Sequence, residues 1–301
     1  MKDYKTENLR NVGLIGHGGS GKTSIAEAML FNTKVLDRLG KVEDGNTTTD
    51  FDPEEIKRGI SISAAIAPCD WKDIRLNLID IPGYFDFVGE QVAGLNVSDA
   101  AIVAVDSVSG IEVGTEKSWD IIEEKELPCL FFINKMDREN ANFSKVATEL
   151  KDVFGNKLVP IQIPMGAESD FKGVIDLITM KANVLEGNKV VIKDIPSEYE
   201  DEVEELKHDI IEAAAQSDEE LMEKYFEGEE LTEEEIIKGL RIGVINGDTI
   251  PILCGSSSKN IGISNLMDVA KWLLPSPADV GSYEVKDFKT DEISNREYDE
   301  S

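Results

Sequence analysis

Hydrophobic and polar positions change rhythm several times along the chain. Four short apolar runs, at 11–15, 76–80, 100–106 and 128–134, each close on a turn-forming or polar residue and read as buried strands. A fifth strand is predicted at 62–67. Between the runs, apolar residues recur at helical spacing over 22–31, 87–97, 115–125 and 143–154. Strands that are apolar throughout, alternating with helices, predict an α/β fold whose mostly parallel sheet is covered by helices on both faces. One more such unit, strand 250–254 and helix 263–274, arrives late; Pro251 is tolerable there because it falls at the start of the strand.

The intervening stretch, 164–248, has another texture. Short β-like pieces at 173–177, 181–185 and 189–193 lead into an acidic helical run. Over 198–235 the sequence has 18 acids against 2 bases, a net charge of −16 and more than half of the chain's formal −29. Val203, Leu206, Ile210 and Ala214 recur at helical spacing, giving an apolar stripe opposite an acidic face. That face reads either as solvated surface or as a docking surface for a basic partner, and His208 is expected to be exposed. The stretch is too long and too patterned for a loop and is predicted to be an inserted α+β subdomain. After Pro275 and Pro277 the apolar periodicity stops. The expected organisation is therefore a nucleotide-binding domain made of 1–164 and 249–280, the acidic insert at 165–248, and a linker at 281–301 toward a second domain that the chain lacks.

Composition narrows the function. Acids outnumber bases 60 to 31, which argues against non-specific coating of nucleic acid or anionic lipid, where affinity comes from Lys and Arg. Two histidines and three widely spaced cysteines (Cys69, Cys129, Cys254) argue against a His-rich metal site or a Zn site and suggest reduced thiols. The N-terminus lacks the apolar core of a signal peptide, and no apolar run approaches the ~18 residues of a membrane span. The expectation is a soluble, cytoplasmic protein, monomeric, with no membrane partner.

Residues 16–23, GHGGSGKT, match G-x-x-x-x-G-K-[ST] between a predicted strand and a predicted helix. Successive backbone N–H groups and a helix N-terminus suit phosphate oxygens, and glycines permit close approach. Gly16, His17, Gly18, Gly19, Ser20, Gly21, Lys22, Thr23 and Ser24 are the candidate phosphate-binding residues, with Lys22 on the β and γ phosphates and Thr23 on Mg²⁺. Asp80 and Gly83, in DIPG at 80–83, close a strand; Asp80 is placed to hold Mg²⁺ through water and Gly83 to offer its N–H to the γ phosphate.

NKMD at 134–137 decides the base. The Asp137 carboxylate suits the side-by-side N1–H and N2 amine of guanine, whereas adenine would leave it unpaired. Asn134 would brace the phosphate loop and Lys135 would lie along the base. Gly255, Ser256 and Ser257, following Cys254 at a strand end, are expected to turn backbone N–H groups toward the guanine carbonyl. The polar stretch 37–59, with Asp50, Asp52, Glu54, Glu55, Lys57 and Arg58, is expected to be held by γ phosphate and Mg²⁺ and released on hydrolysis, with Ser61 offering its hydroxyl to Mg²⁺. Three motifs in this order predict a phosphate-loop NTPase that binds and hydrolyses GTP to GDP; kinases and ATPases have no use for NKMD.

These motifs, with RGISI at 58–62, DIPGYFDFVGE, NKMDR, IQIPMGAESDFKGVIDL and LCGSS, resemble the N-terminal GTPase domain of elongation factor G and its paralogues, including the tetracycline-resistance ribosomal protection proteins. The resemblance runs from Leu9 to about Val280 and includes the insert. It implies ribosome-stimulated GTP hydrolysis in protein biosynthesis, stalk proteins at the acidic insert, and RNA contact mainly through domains beyond this chain. Three departures place the chain nearer the divergent paralogues. Tyr84 stands where the family carries the His thought to position the attacking water; a neutral phenol cannot mimic an imidazolium, so hydrolysis is expected to be slow. Gly19 replaces an Asp and Ser61 a Thr. The candidate catalytic set is Tyr84, Lys22 and Gly83. Two rival readings are a nucleotide-gated binding module with incidental hydrolysis, and a GTPase serving a non-ribosomal partner through the insert.

Overall fold

The computed structural model describes residues 3–187 and 189–297; residues 298–301, the end of the expected linker, lie outside the described residues. In chain order the elements are β1 (Leu9–Ile15), α1 (Lys22–Asn32), α2 (Pro53–Arg58), β2 (Ala65–Trp71), β3 (Ile74–Asp80), α3 (Val88–Asn96), β4 (Ala100–Asp106), α4 (Val113–Glu124), β5 (Cys129–Asn134), α5 (Phe143–Phe154), β6 (Leu158–Pro160), β7 (Gln162–Met165), β8 (Gly173–Asp176), β9 (Lys181–Glu186), β10 (Lys189–Lys193), α6 (Glu200–Gln216), α7 (Glu219–Glu227), α8 (Glu233–Asn246), β11 (Ile250–Cys254), α9 (Ile263–Leu273), α10 (Pro277–Val280), β12 (Ser282–Lys286) and β13 (Ile293–Glu297).

The central sheet runs β2-β3-β1-β4-β5-β11-β6, parallel except for β2, which pairs antiparallel with β3. Every residue of β4 and β5 is buried, as strands covered on both faces must be. Phe131 of β5 stacks against Trp119 of α4 (5.9 Å between centroids) and Phe154 of α5 (5.6 Å), a ring cluster that fixes those two helices on one sheet face. The parallel strands put the ends of β1, β3, β4, β5 and β11 along one edge of the domain, where ligands of open α/β sheets bind. Each of the predicted motifs follows one of those ends.

Two boundaries differ from expectation. The strand predicted at 62–67 lies at Ala65–Trp71, because Ser63 and Ala64 are drawn off by side-chain carboxylates: their N–H groups donate to Glu55 (3.1 Å) and Glu90 (2.7 Å). It is an antiparallel hairpin partner of β3, turning through Lys72 in the left-handed region at φ 54. The chain also leaves the central sheet earlier than expected. Ile161 still donates to Ile252 (3.0 Å), and from Gln162 onward β7, β8, β9 and β10 form a separate antiparallel sheet.

The acidic run is three helices rather than one. Asp218 caps α7, and Thr232 with Glu235 forms a capping box on α8. Val203, Ile210 and Ala214 of α6 are buried as the stripe predicts, while Leu206 is half-buried and His208 exposed. The segment expected as a linker instead carries the β12–β13 hairpin. Asp287 closes its turn by accepting from the N–H groups of Lys289 (2.7 Å) and Thr290 (2.9 Å), and the Tyr283 hydroxyl donates to Asp99. Its strands are largely exposed, and the alternation of Tyr283 and Val285 is too short a run to have signalled a strand in the sequence. The three cysteines are free and buried, and among the described residues no helix is long and apolar enough to cross a membrane.

Candidate functional site

The loop between β1 and α1 wraps one end of a cleft of about 780 Å³. Gly21 holds φ 98 at the cap of α1, where a Cβ would lie 2.3 Å from the Asn134 amide nitrogen, so only glycine fits. No side chain caps this helix, leaving its N-terminal N–H groups and positive dipole end toward the cleft. Lys22 is buried and donates to the carbonyls of Gly16 (3.1 Å) and His17 (2.9 Å). Burial pulls its ammonium down to about 8, with Asp80 and Asp50 opposing the fall. The same desolvation pushes the Asp80 carboxyl up to about 6, despite bonds from the Thr49 hydroxyl (2.6 Å) and Thr23. Both charged forms are strained by dehydration, the condition that a charged ligand between them relieves.

Thr23 Oγ1 and Ser61 Oγ lie 3.1 Å apart. Asp80 Oδ1 and Asp50 Oδ1 are buried with no hydrogen-bond partner, and burial raises Asp50 as well. Two hydroxyls and two carboxylates with orphaned oxygens form an all-oxygen donor set that suits a hard dication. In the sequence Asp50 is one charged residue of a polar stretch and Thr49 carries no signal; only the folding of 37–59 back over the loop gives them a place in the site. That segment is tied down by this chain's own carboxylates, contrary to the expectation that phosphate and metal alone would hold it. Glu27 accepts from Gly40 (3.2 Å) and Thr48 (2.8 Å), and Glu55 accepts from Asp52 (3.1 Å) and Ile62 (2.9 Å).

Gly83 packs against Lys22 and the loop. A Cβ there would lie 2.3 Å from Lys22 Nζ, 2.7 Å from Gly16 O and 2.8 Å from Gly18 N. Tyr84 is 41% exposed, and its ring lies over Gly18 so closely that a Cβ on Gly18 would meet Cε2 at 2.8 Å. Gly19 and Ser24 line the cleft, and Ser20 is buried with an unpartnered hydroxyl. His17 turns its ring away from the cleft: Nδ1 accepts from Gly114 N–H (3.2 Å), and Nε2 lies 3.4 Å from Glu112. Only the backbone of His17 remains available to a phosphate.

Against the back of the phosphate loop, Asn134 is fully buried and joins three loops. Its amide donates to Ser20 O (3.0 Å) and Ser257 Oγ (3.1 Å) and accepts from Ser257 N–H (3.0 Å). Lys135 crosses the cleft to Gly19 O and to Asp106 Oδ2 (2.6 Å). Burial alone would raise Asp106, but the Lys135 ammonium and the Val108 and Ser109 N–H groups outweigh it and hold its carboxyl low. Asp137 keeps one buried, unpartnered oxygen, while the other accepts from Ser258 Oγ (3.3 Å).

One assignment is corrected. The N–H groups of Gly255, Ser256 and Ser257 are taken up within the protein, by Ile133 O (3.0 Å), Ile261 O (2.9 Å) and Asn134 Oδ1 (3.0 Å) respectively. They cannot all face a base, because the turn that follows β11 uses them to bind its own neighbours. Ser257 still lines the cleft, as does Ser258, whose hydroxyl donates to Asp137 (3.3 Å). Sequence spacing alone could not fix this register.

A phosphate loop ahead of α1, an acid at the end of β3 and the Asn134 brace on a mostly parallel sheet define the phosphate-loop GTPase class of fold. The family model for the elongation factor Tu GTP-binding domain matches residues 7–276. The chain belongs to that family, as the GTP-binding domain of a translational GTPase; members of the family are GTPases. The solved structure of a Thermus thermophilus protein, ttk003000868, is similar at 35% identity and a TM-score of 0.86, covering 91% of this chain. This chain spans 41% of the length of that protein.

Proposed function

We propose that this chain is the guanine-nucleotide-binding, GTP-hydrolysing part of a translational GTPase of the elongation factor G type, acting in connection with the ribosome. The observation that carries the base assignment is Asp137, which keeps a buried unpartnered oxygen beside Ser258, a residue that lines the cleft. It would accept from guanine N1–H and the N2 amine, with the Ser258 N–H toward the guanine carbonyl and Lys135 along the ring. Lys22 and the loop N–H groups take the phosphates, and Gly83 presents its N–H to the terminal one.

Thr23, Ser61, Asp80 and Asp50 would hold Mg²⁺, directly or through water, and the ion when bound neutralises charge on the β and γ phosphates. Tyr84 orients the attacking water as a neutral hydrogen-bonding group. The unit made of 162–248, with its second sheet and acidic α6, α7 and α8, forms an inserted subdomain whose outer face suits a basic ribosomal stalk protein.

The test is GTP turnover by the purified chain with and without ribosomes, ATP as control and Tyr84→His alongside. Strong stimulation by ribosomes supports the reading, and the His variant is expected to turn over faster. The packing of the Tyr84 ring on Gly18 favours one rival, a nucleotide-gated binding module. For that reading, tight GTP binding would accompany turnover below ~10⁻³ s⁻¹, the scale of unassisted small GTPases, in both forms with and without ribosomes.

A further inference from the structure

Glu168 lies in the turn after β7, outside all of the nucleotide motifs. It holds φ 54, a left-handed backbone that a residue with a Cβ keeps only when its surroundings hold it there. Two hydrogen bonds do so. Its N–H donates to Met136 O (3.1 Å), and its carboxylate accepts from Asn140 N–H (2.8 Å). Between those two contacts lies Asp137. The arc is bent at both ends by further left-handed residues, Lys135 at φ 65 and Asn140 at φ 66. Met136 is gripped from the other side too, where its N–H donates to Gly255 O (3.1 Å).

The post that carries Glu168 is itself stiff. Gly166 N–H donates to the Tyr199 hydroxyl (3.1 Å) just before α6, and a Cβ on Gly166 would lie 2.2 Å from Asp170 O. Lys172 N–H closes the turn onto Met165 O (3.0 Å). A residue borne by the second sheet's first turn thus clasps both ends of the arc that presents the Asp137 carboxylate, its own backbone N–H holding Met136 and its carboxylate holding Asn140.

We propose that Glu168 is a positioning residue for base recognition: by fixing the 136–140 arc from outside the cleft, it sets the preference for guanine over bases with fewer donors facing Asp137. This rests on the reading of the cleft as a guanine-nucleotide site. Inosine diphosphate, which lacks the N2 amine, is the probe, because it shares every contact of GDP except the one Asp137 makes to that amine.

Competition binding of GDP, inosine diphosphate and ADP is measured on the full chain and on Glu168→Ala, Glu168→Gln and Glu168→Gly, with melting temperatures in parallel. Losing the carboxylate contact is expected to weaken GDP about tenfold and to lower the GDP-to-inosine ratio at least about threefold. Glu168→Gln keeps an acceptor for Asn140 and is expected to hold the ratio within about twofold of the wild type. A general loss of stability would weaken both nucleotides alike and leave the ratio unmoved. Glu168→Gly removes the acceptor while relieving the left-handed strain, so it gives the same ratio shift even if the Ala variant folds poorly. An unchanged ratio in the Gly variant, or a Gln variant as impaired as Gly, overturns the proposal alone. A wild-type chain that prefers neither guanosine nor inosine nucleotides over ADP overturns the guanine reading and this proposal with it.

Discussion

Asn134→Ala tests whether the cleft is braced as one unit. The amide is fully buried and makes three hydrogen bonds, to Ser20 O, Ser257 Oγ and Ser257 N–H, all between 3.0 and 3.1 Å. Alanine removes all three. The Ser257 hydroxyl can rotate to another partner, but the Ser20 carbonyl and the Ser257 N–H are fixed backbone groups left buried and unsatisfied. At about 1–3 kcal/mol for each of the two orphaned groups, the expected loss of unfolding free energy is about 2–6 kcal/mol. With about 2 °C per kcal/mol in a chain of this length, the melting temperature should fall by about 4–12 °C. The assay is urea denaturation at neutral pH, with GDP titration on the same samples. Asn134→Asp is the informative companion: it keeps an acceptor for Ser257 N–H but sets a carboxylate against the Ser20 carbonyl, so it should be no more stable than the alanine variant. An alanine variant within about 0.5 kcal/mol of wild type, binding GDP normally, would falsify the idea that this one side chain joins the phosphate loop to the 254–258 segment.

Three further perturbations separate the parts of the site. Gly83→Ala forces a Cβ into space bounded by Lys22 Nζ and by backbone atoms of Gly16 and Gly18; Lys22 can move but the backbone cannot, so GTP affinity should drop at least about tenfold, and an unchanged Kd by fluorescence titration speaks against the close approach. Asp137→Asn should weaken GTP and improve xanthosine triphosphate, because an amide can donate to the extra carbonyl; competition binding that leaves base preference unaltered removes Asp137 from base recognition. Glu235 is held down to about 2 by Lys224 and by the Thr232 N–H it caps. A depressed carboxyl contributes stability above its unfolded value near 4.5 and loses it as pH falls toward 2, so the melting-temperature gap between wild type and Glu235→Gln should be constant above about pH 5 and narrow below it. A gap that does not change with pH would assign the effect to packing.

Much of the cleft was legible because its chemistry is local. The GHGGSGKT run, DIPG and NKMD each pack the turn chemistry, the charge and the hydrogen-bonding groups into four to eight consecutive residues, and each follows an apolar run that can only be a buried strand. Asn134 was expected to brace the phosphate loop, and its amide does bond Ser20 O. At other contacts between segments distant in sequence, the reading failed or stayed silent. Asp50 reaches the Lys22 and Asp80 neighbourhood only through the fold of 37–59, and the 255–257 N–H groups are claimed by Ile133, Ile261 and Asn134.

What the sequence by itself determined is the kind of sheet, the order of its strands and helices, and the identity of the groups at the strand ends. Periodicity of 2 or 3.6 and the residue types of tight turns are properties of neighbours along the chain. What only the tertiary structure decided is register and strain: which N–H groups are free, which carboxylates lose their water, and where a Cβ cannot fit. Lys22 at about 8 and Asp80 at about 6 are the direct expression of that difference, since both shifts arise first from burial. Desolvation depends on every atom that packs around a group, and those atoms come from segments that sequence order does not bring together.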